Sequence, residues 1–255
     1  MNKIKAIVAA AMFVMAGAAQ SALISRGGGM VYDTTLDVTW LADMNYAFTS
    51  GYAAKGSVAY PNPDEYSIWP NGRMGWSAAM QWAESLVYGG FSDWRLPTLN
   101  TSSDITCSGV YDPGGGLGLQ YWGVNCSGGE LSHLFVIDLG NGAWSSVLEQ
   151  GGDTAEQISN FALFSNIKSY QYWSSAEYAP GPYDAWAFYT SGGFQEPDAK
   201  YAGLYAIAVR SGDVGATVPE PQTLALVLLV GGAVLVQRRI FTLNRKDRFT
   251  TARGG

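Results

Sequence analysis

The sequence has a single histidine, His133, and only two cysteines, Cys107 and Cys126, in 255 residues. One histidine excludes a histidine-clustered metal centre. Two cysteines with no further histidine or cysteine at ligand spacing are a poor zinc site. No serine–acid partnership surrounds His133, which therefore reads as a satisfied or surface side chain and not as a catalytic base. No nucleophile elbow and no metalloenzyme signature occurs. Basic residues are scarce in the middle of the chain. Of 15 lysines and arginines, two lie before residue 23 and six after residue 237, which leaves seven against 19 acids over residues 23–218. A segment with a net charge near −12 repels phosphate backbones, so nucleic acid is excluded as a partner. What is plentiful is Gly (32), Tyr (15) and Trp (9), a composition suited to an exported, β-rich module.

The two ends read as addresses. Lys3 and Lys5, an apolar run over residues 4–16 and small residues after it make residues 1–22 a signal peptide, cut by signal peptidase after Ala19 or Ala22. Export implies an oxidising compartment, so Cys107 and Cys126 are expected to form a disulfide around a glycine-rich loop of 18 residues, contributing about 3 kcal/mol. At the other end, a linker over residues 214–222 carries Pro219-Glu220-Pro221. The apolar run 224–236 follows, and then Arg238-Arg239. Thirteen helical residues reach about 20 Å, short of a hydrocarbon core of roughly 30 Å. The proline break before the run and the arginines able to snorkel after it still favour a transmembrane helix over 223–237 and a basic cytoplasmic tail over 238–255. This ending resembles the PEP-CTERM sorting signal of Gram-negative bacteria. The resemblance implies exosortase as a processing partner, transient retention in the inner membrane, cleavage near Pro219-Glu220-Pro221, and release or attachment at the cell surface. Here 16 residues follow the arginine pair.

Between the ends, residues 23–213 form one domain of α+β class. Met30, Val31 and Tyr32, then Leu36, Val38 and Trp40 alternating with polar residues, predict a half-buried hairpin. Residues 48–72, rich in Gly, Pro, Ser and Tyr, read as a loop. Trp76, Ala79, Met80, Ala83, Leu86 and Val87 make one apolar stripe, which predicts an amphipathic helix over 76–88 stopped by Gly89-Gly90, with Trp82 packed in the core or at its edge. Pro97 makes residues 91–98 an extended connector, on which Arg95 is expected to bridge acids or backbone carbonyls. A second, shorter helix is expected over 130–139. Residues 170–175, 184–189 and 205–210 read as strands, and the last two echo each other as adjacent antiparallel neighbours would.

Trp40-Leu41-Ala42-Asp43-Met44-Asn45-Tyr46, the helix from Trp76 to Gly89-Gly90, and Trp94-Arg95-Leu96-Pro97-Thr98 occur in order. Tyr172-Trp173-Ser174-Ser175, Ala185-Trp186-Ala187-Phe188 and Ala208-Val209-Arg210-Ser211-Gly212 follow. Together they resemble the Lcl C-terminal domain family, named for the terminal domain of a bacterial collagen-like adhesin. The resemblance implies a C-type-lectin-like domain in an exported protein, with sulfated glycans as the adhesin's ligand and no catalytic residues to carry over. The acidic charge of this chain is a poor match for sulfated ligands, which call for clustered cations. A neutral glycan or exopolysaccharide stacked on Tyr178, Tyr183 and Trp186, beside Pro180-Gly181-Pro182, is the better expectation. Gln195-Glu196-Pro197-Asp198 resembles the calcium and sugar motif of C-type lectins. Glu196 and Asp198 are thus the candidate calcium ligands, on a loop held by the proline, although the companion Trp-Asn-Asp is missing. No cofactor other than calcium is suggested. The functional expectation is a non-enzymatic surface or matrix protein for adhesion, biofilm or polysaccharide contact. The alternatives are an exported carboxylate-dependent glycan hydrolase and a protein-binding scaffold.

Overall fold

The computed structural model describes residues 23–215 except 59, 60, 150 and 152. The expected signal peptide and transmembrane helix, with Pro219-Glu220-Pro221, the apolar run, Arg238, Arg239 and the residues after them, all lie outside the described residues. A first antiparallel sheet contains β1 (Leu23–Gly27), β2 (Met30–Asp33), β3 (Val38–Leu41) and β9 (Val209–Ser211), in that order. Pairing of Met30 with Leu41 through Asp33 with Val38 makes the expected hairpin. Its turn closes because Asp33 Oδ1 accepts from the amides of Thr35 (2.9 Å) and Leu36 (3.0 Å). A second antiparallel sheet holds β4 (Gly109–Tyr111), β5 (Gln120–Val124), β8 (Phe194–Ala199), β7 (Asp184–Tyr189) and β6 (Gln171–Glu177), in that order.

Two apolar clusters lie on either side of this strand layer, and strand alternation deals residues to each. Val31, Trp40, Tyr172, Trp186, Phe188, Ile207 and Val209 enter one cluster. Met30, Leu41, Trp173, Ala185, Ala187, Ala206 and Ala208 enter the other. The hairpin is therefore buried on both faces instead of half-buried, and all four residues of β3 are inaccessible. Helix α2 (Trp76–Glu84) covers the second cluster with Ala78, Ala79, Trp82 and Ala83. The first is covered by α3 (Glu130–Ser132), which runs on as a π-helix over His133–Asp138 and contributes Leu131, Leu134 and Phe135. Two short α-helices, α1 (Tyr46–Thr49) and α4 (Ala155–Phe161), are also described, and the stretch 48–72 expected as loop holds the end of α1 and one 3₁₀ turn, Ala53–Lys55. Helix α4 starts on a capping box between Thr154 and Gln157.

Two expectations are corrected. Helix α2 stops at Glu84, one turn short of the expected end. Gly89-Gly90 instead forms a tight hairpin in which Tyr88 and Phe91 exchange backbone hydrogen bonds of 3.0 Å. Tyr88 is held outside the helix because its hydroxyl donates to Gly28 O (2.8 Å) and its ring meets Tyr46 and Trp94 edge-on, which leaves Val87 72% exposed. The segment at 205–210 does not pair with β7. Tyr205 exchanges backbone bonds with β6 beside Tyr172, Ala208 O accepts from Leu41 N, and β9 closes the first sheet against β3. The echo between the two segments comes from burial on both faces, which selects similar residues in strands that never meet.

Arg95 does what its setting implied. Its guanidinium donates a two-pronged pair to Glu130, at 2.6 and 2.7 Å, with a further bond to Leu96 O. Burial pushes the Glu130 carboxyl up, but the Arg95 guanidinium and the Thr98 amide together hold it below its ordinary value. The 91–98 connector is thereby tied to the start of α3.

Candidate functional site

The disulfide between Cys107 and Cys126 is formed, and it joins the chain just before β4 to the chain just after β5. The β4–β5 hairpin is thus anchored at its base. Gln195, fully buried on β8, adds a second tether by donating to Tyr121 O (3.0 Å) and Asn100 O (3.3 Å). Strands β5 and β8 pair only at Gly123 with Gln195 and at Val124 with Phe194. Two residues on is Pro197, which sits opposite Trp186 in the β7–β8 ladder. A proline fits such a ladder only with its nitrogen turned away from the partner strand, here towards β5, where it has no N–H to offer. Pairing ends there and the two strands part.

The gap is a cleft of about 320 Å³ lined by Tyr111, Gln120, Trp122, Tyr178, Trp186, Glu196 and Pro197. Trp186 is a buried part of the wall, with the Tyr178 ring packed edge-on against it at 5.5 Å. Tyr111 and Trp122 are 52% and 46% exposed. Trp122 rests across Gly109, its partner in β4, where a Cβ would come within 2.6 Å of the indole. A glycine is therefore required for the ring to lie where it does. The product is an aromatic-walled groove with an amide (Gln120) and a carboxyl (Glu196) at hand, the combination that stacks on a flat apolar face and hydrogen-bonds to hydroxyls.

Two of the three expected aromatics, Tyr178 and Trp186, meet in this cleft. Tyr183 does not line it and stands 82% exposed just before β7. Glu196 and Asp198 lie on a strand, β8, and not on a loop, opposite Ala187 and Ala185 of β7. The Tyr189 hydroxyl donates to Asp198 Oδ2 (2.9 Å). Burial and the charge of Asp198 push the Glu196 carboxyl up, against a hydrogen bond from Tyr189. Among the described residues, the one trio of His, Cys, Asp or Glu with ligand atoms drawn together is Asp104, Cys107 and Cys126, and there the two sulfurs are bonded to each other. Tyr111, Gln120 and Trp122 were not anticipated, and Pro197 was expected only as the proline holding the loop over 196–198, not as a wall of a cleft. Aromatics at both ends of a glycine run were the available signal, but spacing does not say that this hairpin docks beside β8.

Cations are engaged elsewhere. Arg26 pairs with Asp213, Arg95 with Glu130, Lys200 with Glu177 and Arg210 with Asp93. Arg73 lies over the Trp69 and Tyr170 rings at 5.9 and 5.5 Å. None of these borders the cleft.

Comparison with known proteins gives one result at the level of family: the model of the Lcl C-terminal domain matches residues 29–210, well over half of the chain. No curated protein and no solved structure matches. The matched span begins one residue before β2 and ends within β9, so it takes in the first sheet apart from β1 and the last residue of β9, the whole second sheet with its disulfide-anchored hairpin, and every wall of the cleft; the chain belongs to the Lcl C-terminal domain family.

Proposed function

We propose that this chain is a non-enzymatic, exported surface or matrix protein whose domain binds a neutral glycan in the cleft between β5 and β8. The observation that carries this reading is the pairing of half-exposed Trp122 and Tyr111 with the Tyr178–Trp186 wall, in a groove that no basic residue lines. Neutral sugar rings offer apolar faces to stack on such rings, whereas sulfate groups call for guanidinium or ammonium groups. The five engaged cations and a net charge near −12 over residues 23–218 support the same choice. Family membership supports an adhesive role, and the two terminal segments support export followed by exosortase sorting.

The test is an array of neutral and sulfated glycans, followed by titration of any hit with the Trp122→Ala variant. The expected outcome is binding to neutral members and a loss of about tenfold or more on truncation, since tenfold is about 1.4 kcal/mol and full burial of a large apolar side chain is worth roughly 1.5–3 kcal/mol. Binding confined to sulfated members, or untouched by the substitution, would defeat the reading. Glu196 favours a second reading, because a carboxyl raised by burial at the edge of a sugar-sized cleft is what an acid catalyst needs. Release of reducing ends by the wild-type chain, abolished in Glu196→Gln, would establish the hydrolase instead.

A further inference from the structure

Trp144 is 77% exposed and holds a left-handed backbone, with φ at 63°. A bulky residue rarely adopts that conformation, which glycine takes without strain. The loop around it is nonetheless fixed. Trp144 N donates to Gly192 O and Val147 N to Thr190 O, both at 2.8 Å, and the Asn141 amide donates to Ser145 O at 2.7 Å. The loop also lies so close to the turn between β7 and β8 that a Cβ on Gly193 would come within 2.3 Å of Gly142 O. The indole is thus held out in solvent on a firm support, with Phe194 beside it at 5.8 Å between ring centres. Phe194 in turn stacks on Tyr189 at 4.5 Å.

Strand alternation puts Phe194 on the same face of the second sheet as Trp122. Phe194 lies opposite Val124 of β5, and the residues two positions away on each strand, Glu196 and Trp122, share its face and line the cleft. Two residues of strand span about 7 Å, so the step from Phe194 to the cleft is short on the scale of an oligosaccharide. Phe194 and Glu196 are only half-buried, which leaves the way between the two tryptophans open. A chain already seated in the cleft reaches the second ring with little further loss of freedom. A protein partner is the poorer fit, because it needs neighbours that exclude water around the ring, and Gly142 and Ala143 beside it are exposed and too small to do so. We propose that Trp144 is a second sugar platform, so that the ligand is an extended neutral polysaccharide running from the cleft past Phe194 to Trp144. The proposal rests on the cleft reading and adds to it the length of the ligand.

The test is calorimetric titration of the full chain with neutral β-glucan, α-glucan, mannan and xylan fragments, from disaccharides to hexasaccharides. In a series that binds, hexasaccharides are expected to bind about tenfold or more tightly than disaccharides. Trp144→Gly is expected to remove that gain and to leave the Tm close to that of the wild type, because glycine suits the left-handed backbone. Trp144→Phe, which keeps a flat ring, is expected to restore most of the gain, and Trp122→Ala to weaken binding at every length. Affinity that does not grow with length, or growth that survives Trp144→Gly, overturns the proposal and leaves the cleft reading standing. Binding indifferent to Trp122→Ala, or silence across the whole panel, overturns both. A dimer that Trp144→Gly abolishes, seen by sedimentation, overturns the proposal in favour of a contact between two copies of the chain.

Discussion

Asp138 shows how one side chain couples stability to pH. Its folded carboxyl is pushed up to about 8 by burial and by Asp33 on β2 and Glu156 on α4, with His133 as the one basic neighbour described. A group raised in this way binds its proton more tightly in the folded state than in the unfolded chain. Its contribution is complete below the unfolded value near 4 and is lost as pH rises to about 8, at no more than about 1.4 kcal/mol per pH unit. Asp138→Asn keeps the neutral shape and removes the titration. Urea unfolding at pH 5 and pH 8 is therefore expected to show a smaller drop for the variant than for the wild type. An equal drop in both would mean that Asp138 ionises freely. None of this was legible from residue types. An aspartate at the end of an apolar stripe reads as a surface helix end, and only the packing of α4 over the π-helical turn buries it.

At the scale of elements, the β4–β5 hairpin is the least self-sufficient part of the domain. It meets the body through two paired positions on β8, the Gln195 side chain and the disulfide. A three-residue and a five-residue strand joined by a glycine-rich loop bury little that could order them alone. Replacing both Cys107 and Cys126 by serine is expected to cost about 3 kcal/mol. It is also expected to raise hydrogen-exchange rates over residues 109–124 while those in β7 stay slow, as mass spectrometry would show. Protection unchanged over the hairpin would mean that the two rungs and Gln195 suffice. The disulfide itself was legible, because export, loop composition and the lack of metal partners pointed one way. The first turns of α2 were legible from the apolar stripe. Its end was not, because Leu86 and Val87 continue the spacing while Tyr88 is captured by Gly28, Tyr46 and Trp94, contacts far away in sequence.

For the whole molecule, charge and layering set the terms. With Arg26, Lys200 and Arg210 each tied to a carboxylate, the acidic field has few free cations to offset it. The domain over residues 23–213, prepared without the basic segment 238–255, is expected to pass through a heparin column unretained at physiological salt, and retention would require a cationic patch that these pairs argue against. The α+β class, the disulfide, the acidic balance and the aromatic content were all decided by the sequence alone, because each depends on which residues are present or on their local spacing. The strand order, the burial of the hairpin on both faces, the route of residues 205–210 to β3 and the meeting of Trp122 with Trp186 were decided only by the tertiary structure. Each of these depends on which segments come together across long stretches of chain. A side chain's alternation says that it has a buried face, but not what it is buried against.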